Sequence, residues 1–314
     1  MRLPASATVR SRGSWVCGSA TACKAPEVHP KVTQEIIDAY REVGVAHVPG
    51  VFPEGWVARM TQVIDSVVAG LRDGSVVFGP HETMRDVEFE DHDGYVRLVN
   101  AYWRVPEMQA LVEECGCAEI VADVIGSDEM RAWVDGTFLK EGNKDETATP
   151  WHNDECLFPF SGEHSPSMWV ALTDMGPENA PLLTLAGSNK DPHRYVSSWA
   201  LEGVEAPPNF HPWSELLERV AAPDADIRVW EARAGDMLII HPKTIHASKP
   251  RTAGHAGRRL GFSLRWIGSD IRYQFNPTAR KNPFEGSELL NEGERLPDSL
   301  MPVTWRRPPR TKAA

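Results

Sequence analysis

Histidine and aspartate stand two residues apart at His152-Asn153-Asp154, directly after Pro150-Trp151, in strand-like sequence. Side chains of a β-strand alternate between its faces, so His152 and Asp154 are expected to leave the same face. Together they would offer an imidazole nitrogen and a carboxylate oxygen from one rigid edge. A second imidazole from elsewhere would complete a set of two histidines and one carboxylate, which grips iron on one side and leaves positions open for a cosubstrate and oxygen. Alone, an H-x-D step is more often a surface turn or a solvated strand, so the assignment depends on what else the chain supplies.

Arg233-Ala234-Gly235-Asp236-Met237-Leu238-Ile239-Ile240-His241 reads as a Gly-Asp turn followed by a buried apolar strand. Pro242-Lys243-Thr244 forms a second turn, and Ile245-His246-Ala247-Ser248 follows it. After a polar loop over 249–257, Arg258-Arg259-Leu260-Gly261-Phe262-Ser263-Leu264-Arg265-Trp266 alternates as another strand. The order is therefore H-x-D, a long gap, a histidine opening one strand, then an arginine opening the next. Each part has a bland structural reading, but the ordered set is much harder to obtain by chance than any member. His241 is followed at once by Pro242 and is expected as a wall or neighbouring histidine. His193, His211 and His255 lie in polar, loop-like sequence and are expected to be solvated.

These segments resemble the phytanoyl-CoA dioxygenase-like family of Fe(II)/2-oxoglutarate-dependent oxygenases. The matching text is Pro150-Trp151-His152-Asn153-Asp154 with Phe158-Pro159-Phe160, Trp169-Val170-Ala171-Leu172-Thr173-Asp174-Met175, the Gly235-Asp236 strand, His246 and the Arg259 strand. It also includes Glu178-Asn179-Ala180-Pro181-Leu182 and Ala186-Gly187-Ser188-Asn189, two steps where the chain departs from the family's usual Asn-Gly and Gly-Ser-His. The resemblance covers roughly residues 33–273. It implies a mainly β fold with some α: a double-stranded β-helix, or jelly-roll, cupin-like barrel, with N-terminal helices packed on one sheet. It also implies Fe(II) held by His152, Asp154 and His246, with 2-oxoglutarate and O2 as cosubstrates.

The family's cosubstrate arginine falls on Arg259. Its same-face neighbours, Gly261 and Ser263, are small, whereas Arg258 shares a face with Leu260, Phe262 and Leu264. A guanidinium suits a carboxylate because it makes two parallel charge-assisted hydrogen bonds; Arg259 is the expected clamp and Arg258 the alternative. Ser248, Trp169, Asn153 and Thr149 are further cosubstrate candidates, although Trp169 also reads as barrel core. Lys140 matches a lysine that often precedes the family's H-x-D segment, with a snorkelling surface lysine as the alternative. Lys140, Phe138, Cys156, Phe158 and Arg265 are candidates for the substrate pocket. The implied reaction releases succinate and CO2 and hydroxylates an unactivated C–H bond of a small-molecule metabolite or natural product, with desaturation or cyclisation as variants. Asp154 retains the carboxylate that related halogenases lack. Two other readings stay open: a metal-retaining jelly-roll binding protein without catalysis, and a cupin-type metalloenzyme that does not use 2-oxoglutarate.

The chain has 314 residues, a length that barrels commonly use for one domain. Its 33 basic and 44 acidic residues give a net charge of −11, which argues against nucleic-acid or anionic-membrane partners. No run of 18 apolar residues is present, so no membrane-spanning helix is expected. The five cysteines, Cys17, Cys23, Cys115, Cys117 and Cys156, are an odd, sparse set read as reduced thiols in a cytoplasmic setting. Residues 1–30 are expected as a tail, whose first 27 residues have an organelle-targeting-like composition. Residues 31–290 would form the barrel domain and 291–314 a C-terminal tail, in a monomer or small homo-oligomer.

The elements that position the site follow from periodicity. Residues 32–43 read as a helix stopped by Gly44, with a short strand after it, and Pro53 opens a second helix carrying Trp56, Met60, Val63, Ile64 and Val67 on one side. A third helical region spans about 106–125 and ends at Gly126, and strands dominate from Met130. The insertion over 190–227, with Tyr195, Trp199, Phe210 and Trp213, is expected either to cover the barrel mouth or to pack on its rim.

Overall fold

Thr33 starts the first helix, α1 (Gln34–Val43), by accepting a hydrogen bond from the Ile36 amide, and Gly44 ends it at φ 89°. A side chain at Gly44 would also collide with Thr244, so this turn seats α1 directly against the chain that leads to His246. The computed structural model describes residues 28–79, 86–141, 147–196, 198, 205, 208–252, 254–255, 257–277 and 286–309. Residues 28–307 form one compact unit.

After α1 come β1 (Val45–Val48), α2 (Glu54–Asp73), β2 (Glu88–His92) and β3 (Tyr95–Val99). The helical stretch expected over 106–125 is two helices, α3 (Pro106–Glu114) and α4 (Cys117–Ile125), separated where Gly116 takes φ 65°. Then follow β4 (Glu129–Lys140), β5 (Thr149–His152), β6 (Phe160–Ser161), β7 (Ser167–Ala171) and β8 (Leu182–Leu185). The chain continues with β9 (Arg194–Tyr195), β10 (Phe210–His211), α5 (Trp213–Val220), β11 (Ile227–Trp230) and β12 (Met237–Ile240). It closes with β13 (His246–Ser248), β14 (Arg259–Ile267), β15 (Arg272–Tyr273) and β16 (Trp305–Arg306).

The major sheet runs β1-β12-β7-β14-β4-β3-β2, with β16 also on β4, and the minor sheet runs β11-β8-β13-β5. Every pairing within these two sheets is antiparallel. This is the jelly-roll barrel, with the N-terminal helices on the outer face of the major sheet. Strand alternation separates the two faces. Met237 and Ile239 of β12 and Leu260, Phe262 and Leu264 of β14 join the helix-side core with Met60, Ile64 and Ile120. Leu238 and Ile240 point the other way and pack with Trp169 of β7 and Leu182 of β8 inside the barrel. On β14 the inner positions are therefore Arg259, Gly261, Ser263 and Arg265, up to the irregularity between Leu264 and Trp266.

The stretch expected as a tail from residue 291 is built into this unit as far as Arg307. Leu296 and Met301 are buried beside Trp133 and Ile267, and β16 pairs with the start of β4. Arg307 reaches Asp123 at 2.8 Å and Asp128 at 3.0 Å. The sequence reading missed this because residues 291–309 carry few apolar residues; the segment is held by spaced apolar anchors and ion pairs. Among the described residues no helix is long and apolar enough to cross a membrane.

Candidate metal centre

His152 ends β5 and His246 opens β13, and the two residues are direct partners across the antiparallel pair. Their rings lie 4.1 Å apart between centroids, tilted by 48°. Asp154 follows two residues after His152, where the chain leaves the strand for a short 3-10 turn over Glu155–Leu157. The three side chains are buried, and one ligand atom from each lies within 4.8 Å of the others. They are the one such trio of histidine, cysteine or carboxylate groups among the described residues.

Backbone carbonyls fix both imidazoles. His152 Nδ1 lies 2.8 Å from the Pro150 carbonyl and His246 Nδ1 lies 2.9 Å from the Thr244 carbonyl. A carbonyl only accepts, so each Nδ1 carries the proton and each Nε2 presents its lone pair, the tautomer a metal requires. Burial, reinforced by the neighbouring His246, pushes the His152 imidazole down to about 3, so it is neutral at physiological pH. Burial alone would raise the Asp154 carboxyl, but Arg265 and the two imidazoles outweigh it and hold the group below its ordinary range as a carboxylate. Ser167 on β7 donates to Asp154 Oδ2, and Arg265 Nη2 stands 3.5 Å from Oδ1. Two imidazoles held with Nε2 free for a metal and one ionised carboxylate, with one carboxylate oxygen already held by a hydroxyl, fit a divalent iron.

Ser167 was not singled out from sequence. The signal was available in Ser167-Met168-Trp169, because alternation puts Ser167 on the same inner face as Trp169.

Deeper in the barrel, Arg259 begins β14 buried at 4% exposure. Its guanidinium stacks on Trp169 at 4.6 Å, and its Nη2 meets the Met175 sulfur at 3.7 Å. Its Nε has no hydrogen-bond partner, and among the described residues no carboxylate pairs with it. Burial lowers the guanidinium to about 10, so it remains charged at neutral pH. A side chain at Gly261 would collide with the Trp169 ring, so the small residue expected to leave room for a ligand makes room for this indole. Lys140 is the register partner of Arg259 across β4 and β14. Its Nζ donates to Ser248 Oγ at 2.6 Å, and Ser248 Oγ in turn lies 2.9 Å from Thr149 Oγ1.

The other sequence candidates divide between the two ends. Arg258 faces outward and pairs with Asp65 of α2 at 2.7 and 2.8 Å. Phe138 and Arg265 both lie over Gly136, near the metal end. Phe158 packs edge-on against Trp133, with centroids 4.7 Å apart. Cys156 Sγ turns to the Asn153 carbonyl at 2.8 Å, and Asn153 itself is buried. His241 sits against Tyr40 of α1, at 5.3 Å between rings, on the helix side.

In the insertion, residues 197, 199–204 and 206–207 lie outside the described residues, so Trp199 does too. Its described part docks on the minor-sheet side: Tyr195 packs with Leu185 and Ile245, and Trp213 Nε1 donates to the Trp151 carbonyl at 2.9 Å. His193 and His211 are solvent-accessible, as expected, and bond Asp191 at 2.8 Å and Glu215 at 2.7 Å at the surface.

A jelly-roll barrel carrying two histidines and one carboxylate on its inner strands defines the class of non-haem iron oxygenases. The model of the family Phytanoyl-CoA dioxygenase (PhyH) matches residues 40–260, and the chain belongs to that family of Fe(II)/2-oxoglutarate-dependent oxygenases, with His152, Asp154 and His246 as its facial triad. Iron and 2-oxoglutarate are its cofactor and cosubstrate. Among solved structures, the chain is similar to the non-heme alpha-ketoglutarate-dependent carbocyclase SnoK from nogalamycin biosynthesis, at 19% identity and TM-score 0.62 over 89% of this chain and 99% of that one. The epimerase SnoN, in complex with Fe3+, alpha-ketoglutarate and nogalamycin RO, aligns at 22% identity and TM-score 0.62, covering 87% of this chain and 98% of its own. EctD from S. alaskensis, with 2-oxoglutarate and 5-hydroxyectoine, aligns at 17% identity and TM-score 0.61, covering 91% and 94%. No curated protein matches the chain.

Proposed function

We propose that this oxygenase hydroxylates an unactivated C–H bond of a small-molecule metabolite or natural product, with 2-oxoglutarate clamped at its distal carboxylate by Arg259. The observation that carries the reading is the buried Arg259 guanidinium, which has an aromatic face and a sulfur around it but no paired carboxylate among the described residues. A charged group kept inside a barrel without a counter-ion is costly unless a ligand supplies one. A dicarboxylate reaching from the triad to Arg259 would supply it. Ser248 and Thr149 offer hydroxyls beside that end, and the Trp169 ring packs against the guanidinium, which can make a two-point contact with a carboxylate.

The bound iron, with 2-oxoglutarate and O2, supplies the oxidising chemistry, releasing succinate and CO2. The chain's own residues set its geometry. The carbonyls of Pro150 and Thr244 keep both Nε2 atoms deprotonated, and Ser167 holds Asp154 Oδ2, which would leave Oδ1 to hold the iron. Phe138 and Arg265, at the metal end of the inner face, are the substrate-side candidates. A small-molecule substrate is supported by the similarity to SnoK from nogalamycin biosynthesis, to SnoN in complex with nogalamycin RO and to EctD with 5-hydroxyectoine.

Anaerobic titration of the Fe(II)-loaded protein with 2-oxoglutarate tests the reading. A weak visible charge-transfer band is expected in the wild type, absent from His152→Ala, with succinate formed once O2 is admitted. A folded, iron-loaded protein that develops no band and forms no succinate would point instead to a metal-retaining binding protein.

A further inference from the structure

Lys140 closes β4 with its ammonium enclosed in the barrel at 0% exposure. Among the described residues its polar partners are neutral, Ser248 Oγ at 2.6 Å and the Lys249 carbonyl at 3.4 Å. The elements packed around it add no negative charge among the described residues. Arg259 stands opposite on β14, and Tyr95, half-buried, stands opposite on β3. Thr149 of β5 is reached through Ser248, and Arg251 bonds the Lys140 and Glu141 carbonyls at 3.5 and 2.9 Å. The nearest acid along the chain, Glu141, is turned outward to Arg72 at 2.9 Å. Two basic groups thus share one buried compartment with no carboxylate among the described residues. Burial first, and the Arg259 charge second, push the Lys140 amine down to about 6.

We propose that Lys140 is a second cosubstrate-binding residue that is an uncharged amine in the free enzyme and takes up a proton from solvent when the distal carboxylate of 2-oxoglutarate arrives at Arg259. This rests on the cosubstrate reading above and moves Lys140 from the substrate pocket, where sequence alone placed it, to the cosubstrate end. The hydrogen-bond chain is ready for both states, because Ser248 Oγ accepts from Lys140 while it donates to Thr149. An incoming carboxylate would raise the amine's proton affinity by cancelling the charge of Arg259 and by pairing with the ammonium itself. The sign of the pH dependence follows. Below about 6 the free enzyme already holds the proton and affinity is flat. Above it, the complex holds one more proton than the free enzyme, so affinity falls as pH rises, by up to about tenfold per unit.

Calorimetric titration of the anaerobic Fe(II)-loaded protein, in HEPES and in Tris at one common pH just above neutral, counts the protons from the difference in heats. Uptake of about one proton per 2-oxoglutarate is expected. 2-Oxopentanoate, which has the same chelating end but no distal carboxylate, should take up none, and it cancels any proton change at the metal. Lys140→Arg, which carries a permanent charge, should bind 2-oxoglutarate with no uptake and lose the pH dependence. Binding of 2-oxoglutarate to wild type without proton uptake, or uptake unchanged in Lys140→Arg, would overturn the proposal and leave the oxygenase reading standing. Failure of the iron-loaded wild type to bind 2-oxoglutarate at all would overturn both.

Discussion

The two ends of the barrel interior treat charge in opposite ways. At the metal end, the Asp154 carboxylate is surrounded by Ser167, Arg265 and two imidazoles, and its charge is answered before any ion binds. At the other end, Arg259 and Lys140 face each other without any carboxylate among the described residues. In the first region the carboxylate is already held by its neighbours; in the second two basic groups lie together without one. Both are lined by residues of the same strands, and both depend on the alternation that sends Arg259 and Arg265 inward while Arg258 goes out to Asp65. One strand therefore carries an arginine beside Asp154, a second arginine buried in the barrel, and a third that reaches the helix layer.

The difference can be broken most severely at the metal. His246→Ala removes one of three ligands, and iron binding measured by metal content after gel filtration should be lost, with turnover below detection. Arg259→Ala comes next. Loss of a buried charge-assisted pair, roughly 2–3 kcal/mol, should weaken 2-oxoglutarate by about 30- to 150-fold in a binding titration while leaving iron content near one equivalent. Ser167→Ala frees Asp154 Oδ2 and should lower iron affinity by about 10- to 100-fold in a chelator competition, as expected for a residue that orients a ligand.

A smaller effect sharpens the uncompensated end. Because the Lys140 amine is depressed to about 6 in the folded protein, the unfolded chain binds more protons between there and the ordinary lysine range. Stability without cosubstrate should therefore rise with pH across that window, by at most about 1.4 kcal/mol per unit, and Lys140→Met should flatten the slope in denaturant titrations. The smallest change is expected from Arg258→Ala. Its pair with Asp65 is partly exposed, so stability should fall by about 1 kcal/mol or less, with 2-oxoglutarate affinity unchanged.

Much of the metal end was legible in the chain because its information is local. His152 and Asp154 are two residues apart, and His246 opens a strand bounded by recognisable turns. The inward direction of Arg259 was legible for the same reason, since Leu260, Phe262 and Leu264 mark the other face. What was hidden lies in registers between distant segments. The hydroxyl on Asp154 comes from another strand, Ser167 on β7. The position of Lys140 opposite Arg259 is fixed by the β4–β14 register, and its bond to Ser248 spans 108 residues of sequence. The docking of 291–307 was hidden similarly, because Arg131, Asp123 and Asp128 that receive it lie far upstream. The break between α3 and α4 is a smaller case: Gly116 signals it, yet the apolar periodicity runs across it.

The most direct test is an anaerobic crystal structure of the Fe(II)-loaded protein with 2-oxoglutarate. Iron is expected on His152, Asp154 and His246, with the distal carboxylate in a two-point contact on Arg259 and within hydrogen-bond distance of Lys140 and Ser248. A distal carboxylate lying at Arg265 or in the barrel mouth, with Arg259 and Lys140 still unpaired, would contradict that placement.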